Sequence, residues 1–206
     1  MKVKSTIAAA IAAIALLTST VQAQGNVESW GLDSYGQVSN TPSSTVFVQV
    51  GGGFEHSLAL RASGTIVSWG RNYNGVVSNT PSGSTFIQVS GGGYHSLALR
   101  ADGALRDWGW NASGQVSGTP SGVGFTRISA GYAHSIALRA DGSIASWGSD
   151  SDGQVSNTPT GSGFIEVAAG WKHSLALRAD GSIVGWGLNN YGQVSTAPTG
   201  AGFTQL

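Results

Sequence analysis

A strict 39-residue spacing constrains this chain more than any other feature. Trp30-Gly31, Trp69-Gly70, Trp108-Gly109, Trp147-Gly148 and Trp186-Gly187 fall 39 residues apart, and Pro42, Pro81, Pro120, Pro159 and Pro198 keep the same interval. His56, His95, His134 and His173 repeat in the same step, as do Arg61, Arg100, Arg139 and Arg178. Repetition at this period means that each unit buries its apolar face on its neighbour. No insertion or linker breaks the register, so residues 24–206 are expected to form one repeat domain.

The unit itself reads as strands. Phe164 to Ala169 is a short β-favouring run closed by Gly170, and His173 to Arg178 alternates large and small side chains with period two. Asp180-Gly181 signals a hairpin, expected as a type I′ turn with φ > 0 at both central residues. Ser182 to Trp186 is the third strand, and a long turn-rich connection follows through Pro198. A helical repeat is excluded, because the apolar spacing is two and glycine cuts every segment within about ten residues.

Strand two carries two unequal faces: His134, Ile136 and Leu138 point one way, Ser135, Ala137 and Arg139 the other. Large faces nesting on small ones suit blades packed around an axis. The expected fold is therefore all-β, a propeller-like array of three-stranded antiparallel blades. Four complete strand sets begin near Phe47, Phe86, Phe125 and Phe164. Asn26 to Trp30 stands as a lone third strand and Phe203 to Leu206 as a lone first strand, which are not neighbours in a meander. The array is thus expected to be not fully closed. Self-association through the incomplete blade would cover an otherwise exposed edge.

Residues 1–23 read separately, as a signal peptide. Lys2 and Lys4 precede an apolar stretch from Ile7 to Leu17, and Val21-Gln22-Ala23 is a small-residue cleavage site. The stretch is shorter than the ~20 residues of a spanning helix. A secreted or periplasmic chain beginning at Gln24, with no membrane span after signal removal, is expected. Loss of Lys2 and Lys4 leaves eight Lys and Arg against ten Asp and Glu, a net charge of −2. No basic cluster remains, so nucleic acid is not an expected partner. The absence of cysteine excludes thiol catalysis and thiolate metal sites.

The stretch Gly-Trp-Lys-His-Ser-Leu-Ala-Leu-Arg-Ala-Asp-Gly-Ser-Ile-Val-Gly-Trp-Gly over 170–187, followed by Asn189 and Gly192-Gln193, resembles the repeat of the regulator of chromosome condensation family. Its short three-stranded unit is similar to the bacterial secreted branch, which includes a propeller-type β-lactamase inhibitory protein. The resemblance extends over Gln24 to Leu206 and implies a propeller, usually of seven blades in that family. It also implies two activities to weigh, inhibition of a secreted enzyme and guanine-nucleotide exchange. The leader and the missing basic segment argue against exchange.

Each repeated residue has a structural reading. One His per blade is too widely spaced for ligands that must converge within ~2.1 Å of one zinc ion; a bond to backbone in its own blade is expected. His-Ser adjacency recurs with no paired Asp, so it does not read as a catalytic triad. Gly51-Gly52-Gly53 and Gly91-Gly92-Gly93 open no helix and do not read as phosphate loops. Asp33, Asn72, Asn111, Asp150 and Asn189 read as turn-formers. Asp150-Ser151-Asp152-Gly153 lacks the remaining ligands of a calcium loop. Asn111-Ala112-Ser113 is a glycosylation sequon, relevant in a secreting eukaryote. Neither a metal, a cofactor nor an enzymatic activity is expected.

Variation between repeats carries the functional signal. After the glycines at 53, 92, 131 and 170 come Phe54-Glu55, Gly93-Tyr94, Tyr132-Ala133 and Trp171-Lys172; after Trp-Gly come Leu32, Arg71, Trp110, Ser149 and Leu188. Tyr35, Tyr73 and Tyr191 follow within a few residues. Both loops leave a meander at the same end, so these residues are expected on one face. Trp, Tyr and Arg dominate interface energetics. Tyr35, Phe54, Glu55, Arg71, Tyr73 and Tyr94 are accordingly the expected partner-binding residues, with Trp110, Tyr132, Trp171, Lys172 and Tyr191. Their expected ligand is a protein or a cell-surface component.

Overall fold

A computed structural model describes residues 25–43 and 46–206; the expected leader lies outside the described residues. Four antiparallel sheets follow one another, each with its strands in the order first, second, third. The first holds β1 (Phe47–Gly52), β2 (His56–Arg61) and β3 (Ile66–Gly70), the second β4 (Phe86–Gly91), β5 (His95–Arg100) and β6 (Leu105–Gly109). The third holds β7 (Phe125–Ala130), β8 (His134–Arg139) and β9 (Ile144–Gly148), the fourth β10 (Phe164–Ala169), β11 (His173–Arg178) and β12 (Ile183–Gly187). Among the described residues a single 3₁₀ turn, at Tyr73–Gly75, interrupts the crossover from the first sheet to the second. The strands of the four complete sets fall where period-two alternation put them. Residues 26–30 and 203–206, expected as a lone third and a lone first strand, form no strand, since neither has a second strand of its own blade to pair with. Among the described residues the fold is all-β apart from that turn.

Unequal faces set the packing. Leu58, Leu60 and Ile66 of the first blade cluster with Phe86, Val89, Ala98 and Trp108 of the second. Leu97 and Leu99 meet Phe125, Ile128, Ala137 and Trp147 in the same way, and Ile136 and Leu138 meet Phe164, Val167, Ala176 and Trp186. Each large face thus fills its neighbour's small one, and burying one such Leu or Ile contributes about 2 kcal/mol. Every repeated Trp from 69 onward is also anchored: the indoles of Trp69, Trp108, Trp147 and Trp186 donate to the carbonyls of Gln37, Val76, Gln115 and Gln154 on the preceding crossover.

The repeated histidine is structural, but its partner is not where the sequence reading placed it. Nε2 of His56 bonds the hydroxyl of Ser96 at 2.9 Å, and His95 and His134 reach Ser135 and Ser174 at 2.8 Å. These bonds cross to the next blade instead of closing on backbone within the same one. The strand-two side chain points along the stacking direction, toward the hydroxyl on the second strand of the next blade. His-Ser adjacency is explained by this: each blade supplies the imidazole to one side and the hydroxyl to the other. Burial holds these imidazoles neutral, lowering the pKa of His56 and His134 to about 4 and of His95 to about 3.

The hairpin turn also differs from expectation. Gly64, Gly103, Gly142 and Gly181 have φ near +80°, whereas no Asp of these turns has positive φ. Gly103 N donates to Arg100 O and Arg100 N to Ala104 O, both at 2.9 Å. That is a three-residue loop with glycine in the left-handed position of a bulge. Asp102, Asp141 and Asp180 instead accept the backbone N–H two residues on, at 2.8–3.0 Å, which favours a right-handed αR geometry at the aspartate.

Glycines at the junctions are required by backbone contact. A Cβ on Gly131 would lie 2.3 Å from His134 Cε1 and 2.6 Å from Gly170 O. Gln49 and Gln88 each clasp the next blade, exchanging two hydrogen bonds with Val89 and Ile128. At the third junction Arg127 replaces the glutamine and Ser129 takes the N–H of Ala169 at 3.0 Å. Residues outside the four sheets follow the same geometry. Gly25 pairs with Phe47 as Gly64 bonds Phe86, and Leu206 N donates to Glu166 as Val89 N does to Gln49.

One junction carries a buried acid. On β3 and β9 the crossover threonines Thr80 and Thr158 donate to Ser68 and Ser146, at 2.7 Å. On β6 the equivalent residue is Asp107, which accepts from Thr119 and, at 3.0 Å, from the indole of Trp147 on the next blade. Its second oxygen is buried without a partner, and burial pushes its pKa up to about 7.

Candidate functional site

The loops after the first and third strands of every blade converge at one end, because an up-down-up sheet returns them to the same side. Arg71 N, Trp110 N, Ser149 N and Leu188 N each donate at 2.8 Å to the carbonyls of Glu55, Tyr94, Ala133 and Lys172. The two loops of each blade are thus tied together. Adjacent blades are tied as well: Phe54 N reaches Gly93 O at 3.2 Å, Gly93 N reaches Tyr132 O at 3.0 Å, and Tyr132 N reaches Trp171 O at 3.2 Å. The side chains of this end therefore stand on a rigid frame.

Those side chains form one cluster. Phe54 meets Tyr94 edge to face at 5.7 Å, Tyr94 meets Tyr132 at 5.9 Å, and Tyr132 meets Trp171 at 6.0 Å. Trp110 and Tyr73 join through Tyr94, at 6.3 and 4.9 Å. The Arg71 guanidinium lies 4.5 Å from the Tyr35 ring centre and 5.4 Å from that of Tyr73, and it pairs with Glu55. Lys172 sits 5.7 Å from the Trp171 ring centre and 3.1 Å from Asp152. Edge-to-face pairs of this kind contribute about 1 kcal/mol each beyond burial.

All the sequence-derived candidates but Tyr191 fall in this cluster. Tyr191 is 87 % exposed and belongs to no ring pair among the described residues. Phe54 and Trp171 are the most open members, at 66 % and 62 %, whereas Tyr94, Trp110 and Tyr132 are half-buried between their neighbours. Electrostatics at this end are local. The Glu55 hydrogen bond raises the pKa of Arg71, partial burial raises that of Tyr94, and a hydrogen bond from Ser151 lowers that of Asp152.

Two residues important to the face were not among the candidates. Asp152 was read only as a fragment of a calcium loop, yet it holds Lys172. Gly93 stands in a glycine run and at one of the varied positions, without a side chain to suggest a site; a Cβ there would lie 2.5 Å from Tyr132 O and 2.6 Å from Tyr132 Cδ2. The signal was present in the alignment of repeats, where Gly93 occupies the slot of Phe54, Tyr132 and Trp171. The turn residues Asp33, Asn72, Asn111, Asp150 and Asn189 behave as expected: each carboxylate or amide oxygen accepts two backbone N–H groups five and six residues on. Among the described residues no group of three or more His, Cys, Asp or Glu is placed to hold a metal, and no helix is long and apolar enough to cross a membrane.

The family profile described as "Regulator of chromosome condensation (RCC1) repeat" matches residues 47–76, 86–115, 125–154 and 164–193. No curated protein sequence matches the chain. Among solved structures it is similar to the ectodomain of the receptor kinase CR4 from Physcomitrella patens. That pair is 25 % identical, with 82 % of this chain and 48 % of that one covered and a TM-score of 0.69. It is also similar to Prp20p from Saccharomyces cerevisiae, described with its binding properties to Gsp1p and histones. There the identity is 24 %, covering 78 % of this chain and 49 % of that one, with a TM-score of 0.65. Human WBSCR16 gives 22 %, 72 %, 48 % and 0.61 for the same quantities. The chain thus spans about half the length of these solved relatives.

Proposed function

Because the chain belongs to the regulator of chromosome condensation repeat family, we propose that it is a non-enzymatic protein-binding module whose partner seats on the aromatic loop end. The single observation that carries this reading is the connected cluster from Tyr35 to Lys172, fixed on hydrogen-bonded loops and varied where the rest of the repeat is copied. A rigid platform loses little side-chain freedom on association, and exposed Trp, Tyr and Arg supply the largest interface energies.

The proposal includes export. Lys2, Lys4, the Ile7–Leu17 run and Ala23 support a cleaved leader, and the likeness to a receptor ectodomain is consistent with work outside the cell. N-terminal sequencing of the secreted protein should begin at Gln24. A secreted partner enzyme is the sharper form of the reading; titration against serine β-lactamases tests it, with loss of hydrolysis as the supporting result. Binding to a cell-surface protein is the broader form.

The joint variant Trp110→Ala, Tyr132→Ala, Trp171→Ala tests the face itself. Capture of the wild-type protein's partner is expected to fall at least a hundredfold, while the β-sheet circular dichroism spectrum is retained. Unchanged capture by the folded variant would overturn the reading.

A further inference from the structure

The loop end differs at one blade. The slot that follows the blade-closing glycine holds Phe54, Tyr132 and Trp171 in three blades but Gly93 in the second. Any side chain on Gly93 would collide with the Tyr132 ring, so the space is already taken from the neighbouring blade. Tyr94, one position later, closes the arrangement. Phe54, Tyr94 and Tyr132 meet pairwise at 5.7, 5.9 and 6.3 Å with planes 72°, 71° and 84° apart. Rings at these separations touch each other edge to face. They leave no gap between opposed ring faces in which a small cation could sit, so the trio is a filled surface and not a cage.

The charges that border this surface are already neutralised. Glu55 is paired with Arg71, whose guanidinium is also covered by Tyr35 and Tyr73. Lys172 is paired with Asp152. A charged partner would meet groups whose charge is already offset, whereas an apolar one need only displace water from Phe54 and Trp171.

We infer that the Gly93-centred trio, flanked by internally paired charges, is built for an uncharged apolar patch on a partner protein, held by contact with aromatic and aliphatic side chains. This rests on the reading of the loop end as the binding face. Its consequence is association that depends weakly on salt, since screening acts on unpaired surface charges.

A naive library of phage-displayed peptides, selected on the whole protein and counter-screened on the double variant Phe54→Ala, Trp171→Ala, tests the inference. Both substituted residues are exposed, so the variant is expected to fold. Peptides that lose binding to the variant are expected to be rich in Trp, Phe, Leu and Met and to carry no net charge. Their Kd should change less than about threefold between ~0.05 and ~0.5 M NaCl. Variant-sensitive peptides with acidic or basic clusters, weakening about tenfold or more over that range, would overturn the inference and leave the binding face standing. Peptides that all bind the variant as tightly as the wild type would overturn both.

Discussion

The two ends of the blades are made from the same repeat and do opposite things. At the hairpin end the sequence Arg-Ala-Asp-Gly is copied in three blades, with a close variant at Arg61 to Gly64. Arg61, Arg139 and Arg178 lie 5.8, 4.4 and 5.2 Å from the ring centres of Phe47, Phe125 and Phe164, while Arg100 pairs with Asp102. At the loop end the turn residues Asp33, Asn72, Asn111, Asp150 and Asn189 are copied, but the residues after the blade-closing glycine and just after Trp-Gly vary, while the backbone bonds beneath them recur. At positions tied through the main chain only, such as Phe54, Gly93, Tyr132 and Trp171, side chains are released from structural duty and are free to vary. Where side chains fold the turn, they cannot.

The junction between blades should break first. Gly131→Ala places a methyl against both the His134 ring and the Gly170 carbonyl, neither of which can retreat without opening the sheet. The expected loss is about 3 kcal/mol, read as a drop of roughly 10 °C in Tm. A stability equal to wild type would show that the junction is looser than these contacts imply.

Acid should open the same junctions. The folded pKa values of His56, His95 and His134 lie below the ordinary 6.5, at about 4, 3 and 4. The unfolded chain therefore takes up protons that the folded chain refuses. The histidines' contribution to stability is complete above pH 6.5 and is lost as the pH falls toward 3. Denaturant titrations across that window are expected to show the loss, and replacing His95 by Gln should make it shallower. A flat profile would show that the ladder is not buried in solution.

Much of this was legible beforehand, because a repeated strand pattern exposes its own period. The twelve strands, the nested large and small faces and the shared side of the variable loops all follow from alternation and chain direction. What was not legible is contact between copies. The His–Ser bond joins residues 40 apart, and the missing side chain at Gly93 acquires meaning only beside Tyr132 of the next blade. Both are properties of the stack, and a single unit does not contain them. The aspartates of the hairpins likewise read as left-handed residues from Asp-Gly alone, whereas their side chains cap the following N–H and keep φ negative.

Asp107 gives the smallest effect and the opposite sign. Its folded pKa is raised from 3.8 to about 7, so the buried carboxylate costs stability as pH rises between those values. Asp107→Ser copies the residue of the first and third blades. It is expected to raise stability at pH 8 by about 1 kcal/mol, with a smaller gain at pH 5, as measured by urea unfolding. A loss at pH 8 would mean that the carboxylate's bonds to Thr119 and Trp147 outweigh its burial.

The division between a copied hairpin end and the proposed binding end is tested most directly by two matched triple variants. Phe54→Ala, Tyr132→Ala, Trp171→Ala alters the loop end, and Asp102→Ala, Asp141→Ala, Asp180→Ala alters the hairpin end. Each is to be measured for Tm and for affinity toward a peptide selected on the wild-type protein. The loop-end variant should lose affinity at least a hundredfold while remaining folded. The hairpin-end variant should keep its affinity and lose about 3 kcal/mol of stability. Retained affinity in the first, or lost affinity in a folded form of the second, would contradict the account.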